Sequence, residues 1–258
     1  MIIDSHTHLG DGKNETDLIA SMDKAGIDYA LLLADSATVV YNTTTEDVIR
    51  INEKHPRLKA IGCFEYKHVN AQQIDTLINY LKEEKIYGVK FYPGYEDFYP
   101  CDEKIFPFYK QCQELGKPVI FHTGLLQQGV PGKLRQSHPL NIDELAQKFP
   151  NLKIVMAHFG NAWVIDATMV AWRNKNAYVD LSGYFGETIA KEHIRFFKYD
   201  LRIVSGWLQG YYKCLFGTDW PIAPQDEYLK VVKSLSISKE EKELVFWKNA
   251  KEVFDLNI

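Results

Sequence analysis

Two histidines follow the first apolar run of the chain, and one residue separates them. The run is Ile2-Ile3, and the histidines are His6 and His8. Because side chains alternate between the two faces of a β-strand, positions i and i+2 point the same way, and two imidazole nitrogens can converge on one point. Such a pair predicts a divalent metal site. A packed histidine beside a solvated one would leave the same pattern, so the prediction depends on further ligands elsewhere.

Other side chains that bind metals or move protons also stand where apolar runs end. They are Lys90, His122, His158 and Asp219. In a barrel of parallel strands the carboxyl ends of all strands meet at one face, and active sites are built there. We therefore expect these four side chains to lie close to His6 and His8.

Short apolar runs alternate with segments of helical period along the whole chain. One such segment contains Ile74, Leu77, Ile78 and Leu81. The runs predict eight buried strands, at residues 2–3, 29–33, 58–64, 88–91, 119–121, 154–157, 177–181 and 214–216. Eight strands with intervening helices predict a (β/α)8 TIM barrel, an α/β fold, because open doubly wound sheets usually have five or six strands. Residues 238–258 predict an additional C-terminal helix, packed on the outside of the barrel.

The composition sets limits on domains and partners. No linker or low-complexity run divides the 258 residues, so we expect one domain over residues 1–258. The net charge of −4 offers no general attraction to nucleic acid or to an anionic membrane, which favours a small-molecule substrate. The first strand begins almost at residue 1 and the four cysteines form no CxxC pair, so we expect a cytoplasmic protein with reduced thiols. The sequence leaves open whether it forms a homo-oligomer.

The motifs at the strand ends resemble those of a known family. These stretches are Asp4-Ser5-His6-Thr7-His8, Ala157-His158-Phe159-Gly160, Gly217-Thr218-Asp219-Trp220-Pro221 and Asn249-Ala250. Together they resemble the amidohydrolase superfamily of metal-dependent TIM barrels. More narrowly, they are similar to the amidohydrolase 2 branch, which includes aminocarboxymuconate-semialdehyde decarboxylase and related decarboxylases, hydratases and hydrolases. The resemblance extends over the whole chain.

The resemblance implies a role for each residue. His6, His8, His122 and Asp219 match the ligands of a divalent cation, usually zinc, with a second ion in some members. A bound cation lowers the pKa of water from about 15.7 to about 7, so a metal-activated water is available at neutral pH. Asp219 would carry the proton from that water to the leaving group. His158 matches the residue that polarises the substrate or binds the second metal.

Lys90 has three interpretations. In two-metal relatives a lysine at the end of the fourth strand is carboxylated and bridges the metals. An unmodified Lys90 could instead contact a substrate carboxylate, or serve the structure alone. Aromatic residues in the loops after the third and fourth strands, among them Tyr66 and Tyr92, would wall the substrate pocket. Arg135, in the long loop at 123–141, would meet an anionic substrate.

The resemblance favours a hydrolase that cleaves an amide, ester or lactone bond of a small substrate. An anionic substrate is one option. The alternative is a metal-dependent decarboxylase on the same scaffold. A barrel that binds a ligand without turnover would have no need for the complete ligand set. Metal-dependent deoxyribonucleases also open with HxH, but they carry a glutamate where this chain has Lys90, and the net charge does not favour phosphate binding.

Overall fold

One sheet of parallel strands forms the centre of the protein. The computed structural model describes residues 1–39 and 41–258, and within them eight strands pair in chain order. The strands are β1 (Ile3–Thr7), β2 (Tyr29–Leu33), β3 (Leu58–Cys63), β4 (Val89–Phe91), β5 (Val119–Phe121), β6 (Ile154–Met156), β7 (Ala177–Asp180) and β8 (Cys214–Leu215). This order, with helices between the strands, confirms the predicted (β/α)8 barrel. The first strand is longer than its apolar run because it continues through His6, and all five of its residues are buried.

A helix follows every strand and packs around the barrel. The helices are α1 (Glu15–Ala25), α2 (Thr45–Lys54), α3 (Ala71–Lys82), α4 (Phe106–Leu115), α5 (Asn141–Lys148), α6 (Val164–Arg173), α7 (Lys191–Leu208), α8 (Gln225–Lys233), α9 (Lys239–Glu243) and α10 (Asn249–Phe254). Helix α1 shows how local sequence sets these bounds. The Asn14 side chain accepts hydrogen bonds from the first turn, the Asp17 side chain bonds back to Asn14, and Gly26 ends the helix with a φ of 75°.

Backbone hydrogen bonds close the barrel between β1 and the segment after β8. Ser5 N donates to Phe216 O at 2.8 Å, Asp219 N to His6 O at 2.9 Å, and His8 N to Trp220 O at 2.7 Å. The closing seam therefore runs directly through the predicted metal ligands His6, His8 and Asp219. Their backbones are fixed by the barrel itself rather than by a loop.

The predicted C-terminal helix is present, and its last part, α10, covers the amino end of the barrel rather than its side. Helices α9 and α10 are joined by a single π-helical turn, at Leu244–Lys248. Val253 and Phe254 are buried in one cluster with strand residues such as Ile3 and Leu215. Lys153 reinforces this closure, since its Nζ donates to the carbonyls of Glu252 and Val253 at 2.9 and 3.2 Å. The opposite, carboxyl end of the barrel is left for a site.

Within the described part of the chain, every helix is too short or too polar to cross a lipid bilayer.

Candidate functional site

A cavity of about 440 Å³ lies at the carboxyl end of the strands. Lys90, His8, His122, His158 and Asp219 all line it. His6 is fully buried at its base. The structure thus brings together all six side chains that the sequence placed at strand ends, although they are up to 213 residues apart along the chain (219 minus 6).

A carboxylate lies beside each histidine of the pair. Nδ1 of His6 donates to Oδ2 of Asp180 at 2.8 Å. Nδ1 of His8 lies 2.8 Å from Oδ1 of Asp35. Because a carboxylate only accepts, it places the proton of a neutral imidazole on Nδ1 and leaves a lone pair on Nε2. Each Nε2 atom therefore carries the lone pair that could bind a cation.

Sequence reasoning gave Asp35 and Asp180 no such role. Asp180 is the last residue of β7, and Asp35 comes two residues after β2. Both therefore obey the rule that functional side chains stand at the carboxyl ends of barrel strands. Their position at the strand ends is the one signal that the sequence offers for this role, since neither residue belongs to a histidine motif.

The donor atoms of the site fit a divalent cation. The Nε2 atoms of His6 and His8 face each other at 3.2 Å, and Oδ1 of Asp219 lies 3.7 Å from each. Lone pairs that converge in this way repel each other unless a cation or a proton donor lies between them. Two imidazole nitrogens and a carboxylate oxygen are typical ligands of zinc and of other divalent transition metals.

His158 belongs to the same cluster. Ligand atoms of His6, His158 and Asp219 lie within 4.8 Å of one another, and Nδ1 of His158 is 3.7 Å from Oδ2 of Asp219. The His158 backbone has a φ of 62°, a left-handed conformation that costs a non-glycine residue about 1–2 kcal/mol. Its N–H donates to Oδ1 of Asp180 at 3.0 Å, which helps to hold that conformation. A Cβ atom on Gly183 would come within 2.5 Å of Nδ1 of His158, so this glycine makes room for the ring.

His122 stands at the edge of the cluster. Its ring centre is 4.9 Å from that of His158, and its Nε2 lies 3.2 Å from the carbonyl oxygen of Leu125. A proton on Nε2 would satisfy that carbonyl and leave Nδ1 as the atom able to bind a metal.

Burial keeps three imidazoles of the cluster neutral. It lowers the pKa of His6 and of His158 well below the ordinary value, and the neighbouring charge of Lys90 adds to the effect. The same causes lower the pKa of His122 to about 3. Neutral imidazole is the form that binds metal ions, so the protein environment favours binding at neutral pH.

Lys90 is fully buried beside the ligand set. Its Nζ lies 3.3 Å from Nε2 of His6 and 5.3 Å from the centre of the Tyr92 ring. Burial lowers the pKa of Lys90 to about 8, although the carboxylates of Asp180 and Asp219 oppose this shift. Both the charged and the neutral amine are therefore accessible near neutral pH.

The three predicted pocket residues lie in different places. Tyr92 lines the cavity, and its hydroxyl donates to the carbonyl of Ala34 at 2.8 Å. Tyr66 and Arg135 are not among the described residues that line the cavity. The Tyr66 ring stacks on Phe98 at 4.5 Å, and Nε of Arg135 donates to the hydroxyl of Tyr99 at 2.9 Å. These contacts hold both side chains in the loops, away from the metal ligands.

Residues 3–256 match the model of a protein family described as Amidohydrolase, Amidohydro_2. A curated relative, gamma-resorcylate decarboxylase of Polaromonas sp., is 29% identical over 133 residues, and the match spans 44% of this chain but only 37% of that protein.

Solved structures with the same fold are more distant in sequence. An uncharacterised TIM-barrel protein of Bordetella bronchiseptica superimposes with a TM-score of 0.81 at 21% identity, over 98% of both chains. A dihydroxybenzoic acid decarboxylase of Polaromonas sp., with bound manganese and the inhibitor 2-nitroresorcinol, gives 0.75 at 17% identity, over 100% of this chain and 97% of that one. A probable 2-pyrone-4,6-dicarboxylic acid hydrolase of Acinetobacter baumannii, with citric acid bound, gives 0.73 at 16% identity, over 99% of both. Because the family model covers nearly the whole sequence, the chain belongs to the amidohydrolase 2 family of TIM-barrel enzymes.

Proposed function

We propose that the protein is a metal-dependent decarboxylase of a small monocarboxylic acid. The observation that carries this proposal is the place of Lys90, whose buried Nζ lies 3.3 Å from Nε2 of His6. An ammonium group at a metal site can pair with a substrate carboxylate, and such a pair is strong when it is shielded from water. The activity of the curated relative supports the same assignment.

The metal would be held by residues of the barrel seam. We assign His6, His8 and Asp219 as ligands, with His122 completing the set and His158 beside it. When bound, a divalent cation withdraws electron density from the substrate oxygen that it contacts. Zinc and manganese both accept nitrogen and carboxylate ligands, so the donor set does not select between them.

The protein's own residues would position the acid and supply a proton. Lys90 holds the carboxylate. The bond between that carboxylate and the substrate carbon breaks, its electron pair remains on the carbon, and carbon dioxide leaves. Asp219 delivers a proton to the same carbon. His158, 3.7 Å from Asp219, then passes a solvent proton to Asp219. Burial raises the pKa of Asp219, which helps this carboxyl group to carry the proton.

Hydrolysis of an amide, ester or lactone is the second candidate. The pair of Asp219 and His158 favours this reaction as well. A carboxylate next to a neutral imidazole can take a proton from water and return it to a leaving group. Here Lys90 would contact the substrate carbonyl or remain structural.

Isotope tracing with metal-loaded protein separates the two reactions. With γ-resorcylate in D₂O, decarboxylation releases carbon dioxide and places deuterium on the carbon that carried the carboxylate. Hydrolysis of a lactone in ¹⁸O-labelled water places solvent oxygen in the new acid group. We expect the first result, and we expect Asp219→Asn to abolish it while Asp75→Asn, on an exposed position of α3, leaves it unchanged. Oxygen incorporation with lactones and no carbon dioxide from hydroxylated benzoates would overturn the decarboxylase assignment.

A further inference from the structure

The outer wall of the cavity differs in character from its base. Beyond the ligand set, the apolar side chains of Val39, Leu125, Leu126 and Ile222 line it. This wall suits an uncharged ring or short chain that extends from the reacting group toward solvent.

The charged side chains of the outer wall are both acidic. They are Asp11 and Glu187, and both are exposed at the cavity surface. The hydroxyl of Tyr41 donates to Oδ2 of Asp11 at 3.3 Å, which holds this carboxylate at the cavity. Among the described residues that line the cavity, Lys90 is the one lysine, and there is no arginine.

The cation at the base of the cavity and the two cations of the long loop at 123–141 are held away from the outer wall. Lys90 is confined to the base, where its Nζ lies beside Nε2 of His6. In the long loop, Lys133 pairs with Asp97 at 2.7 Å and Arg135 bonds to the hydroxyl of Tyr99. These loop residues line a separate depression. Among the described residues that line the outer wall, a second carboxylate on the substrate would therefore meet two like charges and no cation.

We infer that Asp11 and Glu187 determine specificity, by selecting substrates whose far end is positively charged or neutral and by rejecting those with a second carboxylate. The inference rests on the proposed function, because it assumes that the reacting group sits at the metal. Charges within the Debye length of about 8 Å interact at physiological salt. We expect an amine to be favoured over a carboxylate by about tenfold or more, which corresponds to about 1.4 kcal/mol.

Binding of metal-directed probes tests the inference without turnover. A hydroxamate chelates a divalent metal through its two oxygens, so benzohydroxamate, 4-(aminomethyl)benzohydroxamate and 4-carboxybenzohydroxamate place three different charges at the far end. We would measure their Kd values on zinc-loaded protein by titration calorimetry at pH 7.5. We expect the aminomethyl probe to bind at least about tenfold tighter than the carboxy probe, with the unsubstituted probe between them.

Variants show whether the two acidic residues cause the difference. In the double variant Asp11→Asn with Glu187→Gln, the ratio of the two Kd values should fall below about threefold while the Kd of benzohydroxamate stays the same. The control, Asp75→Asn with Glu114→Gln, changes the net charge equally on exposed positions of α3 and α4 and should keep the full ratio.

Failure of this inference can be distinguished from failure of the proposed metal centre. Equal or tighter binding of the carboxy probe, or an unchanged ratio in the double variant, would refute the role of Asp11 and Glu187 alone. Absence of binding by all three probes would refute the metal centre, and with it this inference.

Discussion

Replacing Asp180 with asparagine tests whether the ligand geometry depends on its carboxylate. Oδ2 of Asp180 accepts from Nδ1 of His6 at 2.8 Å, and Oδ1 accepts from the backbone N–H groups of His158 and Ser182 at 3.0 Å each. Asparagine can preserve the Oδ1 contacts but presents an NH₂ group toward His6. Two donors would then face each other at a site closed to water, since His6 is fully buried.

The ring of His6 can relieve this conflict by moving its proton to Nε2. Nε2 is the atom that faces His8 and Asp219. The tautomer that carries its proton on Nε2 therefore cannot bind a cation there. Loss of a carboxylate that orients a metal-binding histidine typically lowers metal affinity by about 10- to 100-fold, or about 1.4 to 2.7 kcal/mol. We expect Asp180→Asn to fall in this range.

Competition with a chromophoric chelator would measure the zinc Kd, and thermal unfolding would measure stability. Asp200→Asn is the control, because Asp200 is a carboxylate that accepts a hydrogen bond from the Tyr184 hydroxyl at 2.7 Å and contacts none of the metal ligands. It should lower the Tm while the folded protein keeps its zinc Kd within about threefold. A zinc Kd for Asp180→Asn within threefold of the unchanged protein would refute the argument.

Three further predictions follow from the site and its surroundings. The double variant His6→Ala with His8→Ala should lose the one or two equivalents of metal expected in the purified protein, and elemental analysis showing undiminished metal would exclude these ligands. His158→Asn should keep the fold, measured by circular dichroism, while activity drops by about 10²-fold or more, the scale of a lost proton-transfer group; unfolding would instead assign His158 to the core. Burial raises the pKa of Glu96 from 4.5 to about 7, so the folded state holds a proton that the unfolded state releases, and stability should fall as the pH rises from about 5 to 8. Glu96→Gln should reduce that fall by about 1 to 3 kcal/mol in denaturant titrations, and an identical pH profile in both proteins would contradict the assignment.

The barrel could be predicted because its signals are local. A buried parallel strand appears as a short apolar run, and the helices between strands carry their own caps, such as Asn14 and Gly26. The convergence of His6, His122 and Asp219 followed from the same signals, since any residue at the carboxyl end of a barrel strand must face the same mouth.

The orienting carboxylates could not be identified from local signals. Asp35 and Asp180 are two of 34 acidic residues, and nothing next to them in sequence marks them as partners of a histidine. Their role depends on the sheet, in which β2 adjoins β1 and β7 lies two strands away through β8 and the closing seam. The loop residues Tyr66 and Arg135 are not among the described residues that line the cavity, for a related reason. Composition shows that a loop is aromatic or basic, but its own hydrogen bonds decide where the side chains go.

The site therefore has two layers with different physical origins. Asp180 bonds both to the His6 ring and to the backbone of the left-handed turn at His158, so the ligand set is fixed by strands of one sheet. Asp11 and Glu187 lie beyond the strand ends, and neither takes part in the seam bonds that join Ser5, His6 and His8 to residues 216–220. Changes in the loops should accordingly alter which substrate binds and leave metal affinity intact, whereas changes at Asp180 should do the reverse. A loop variant that lost the metal while its barrel remained folded would show that the two layers are coupled.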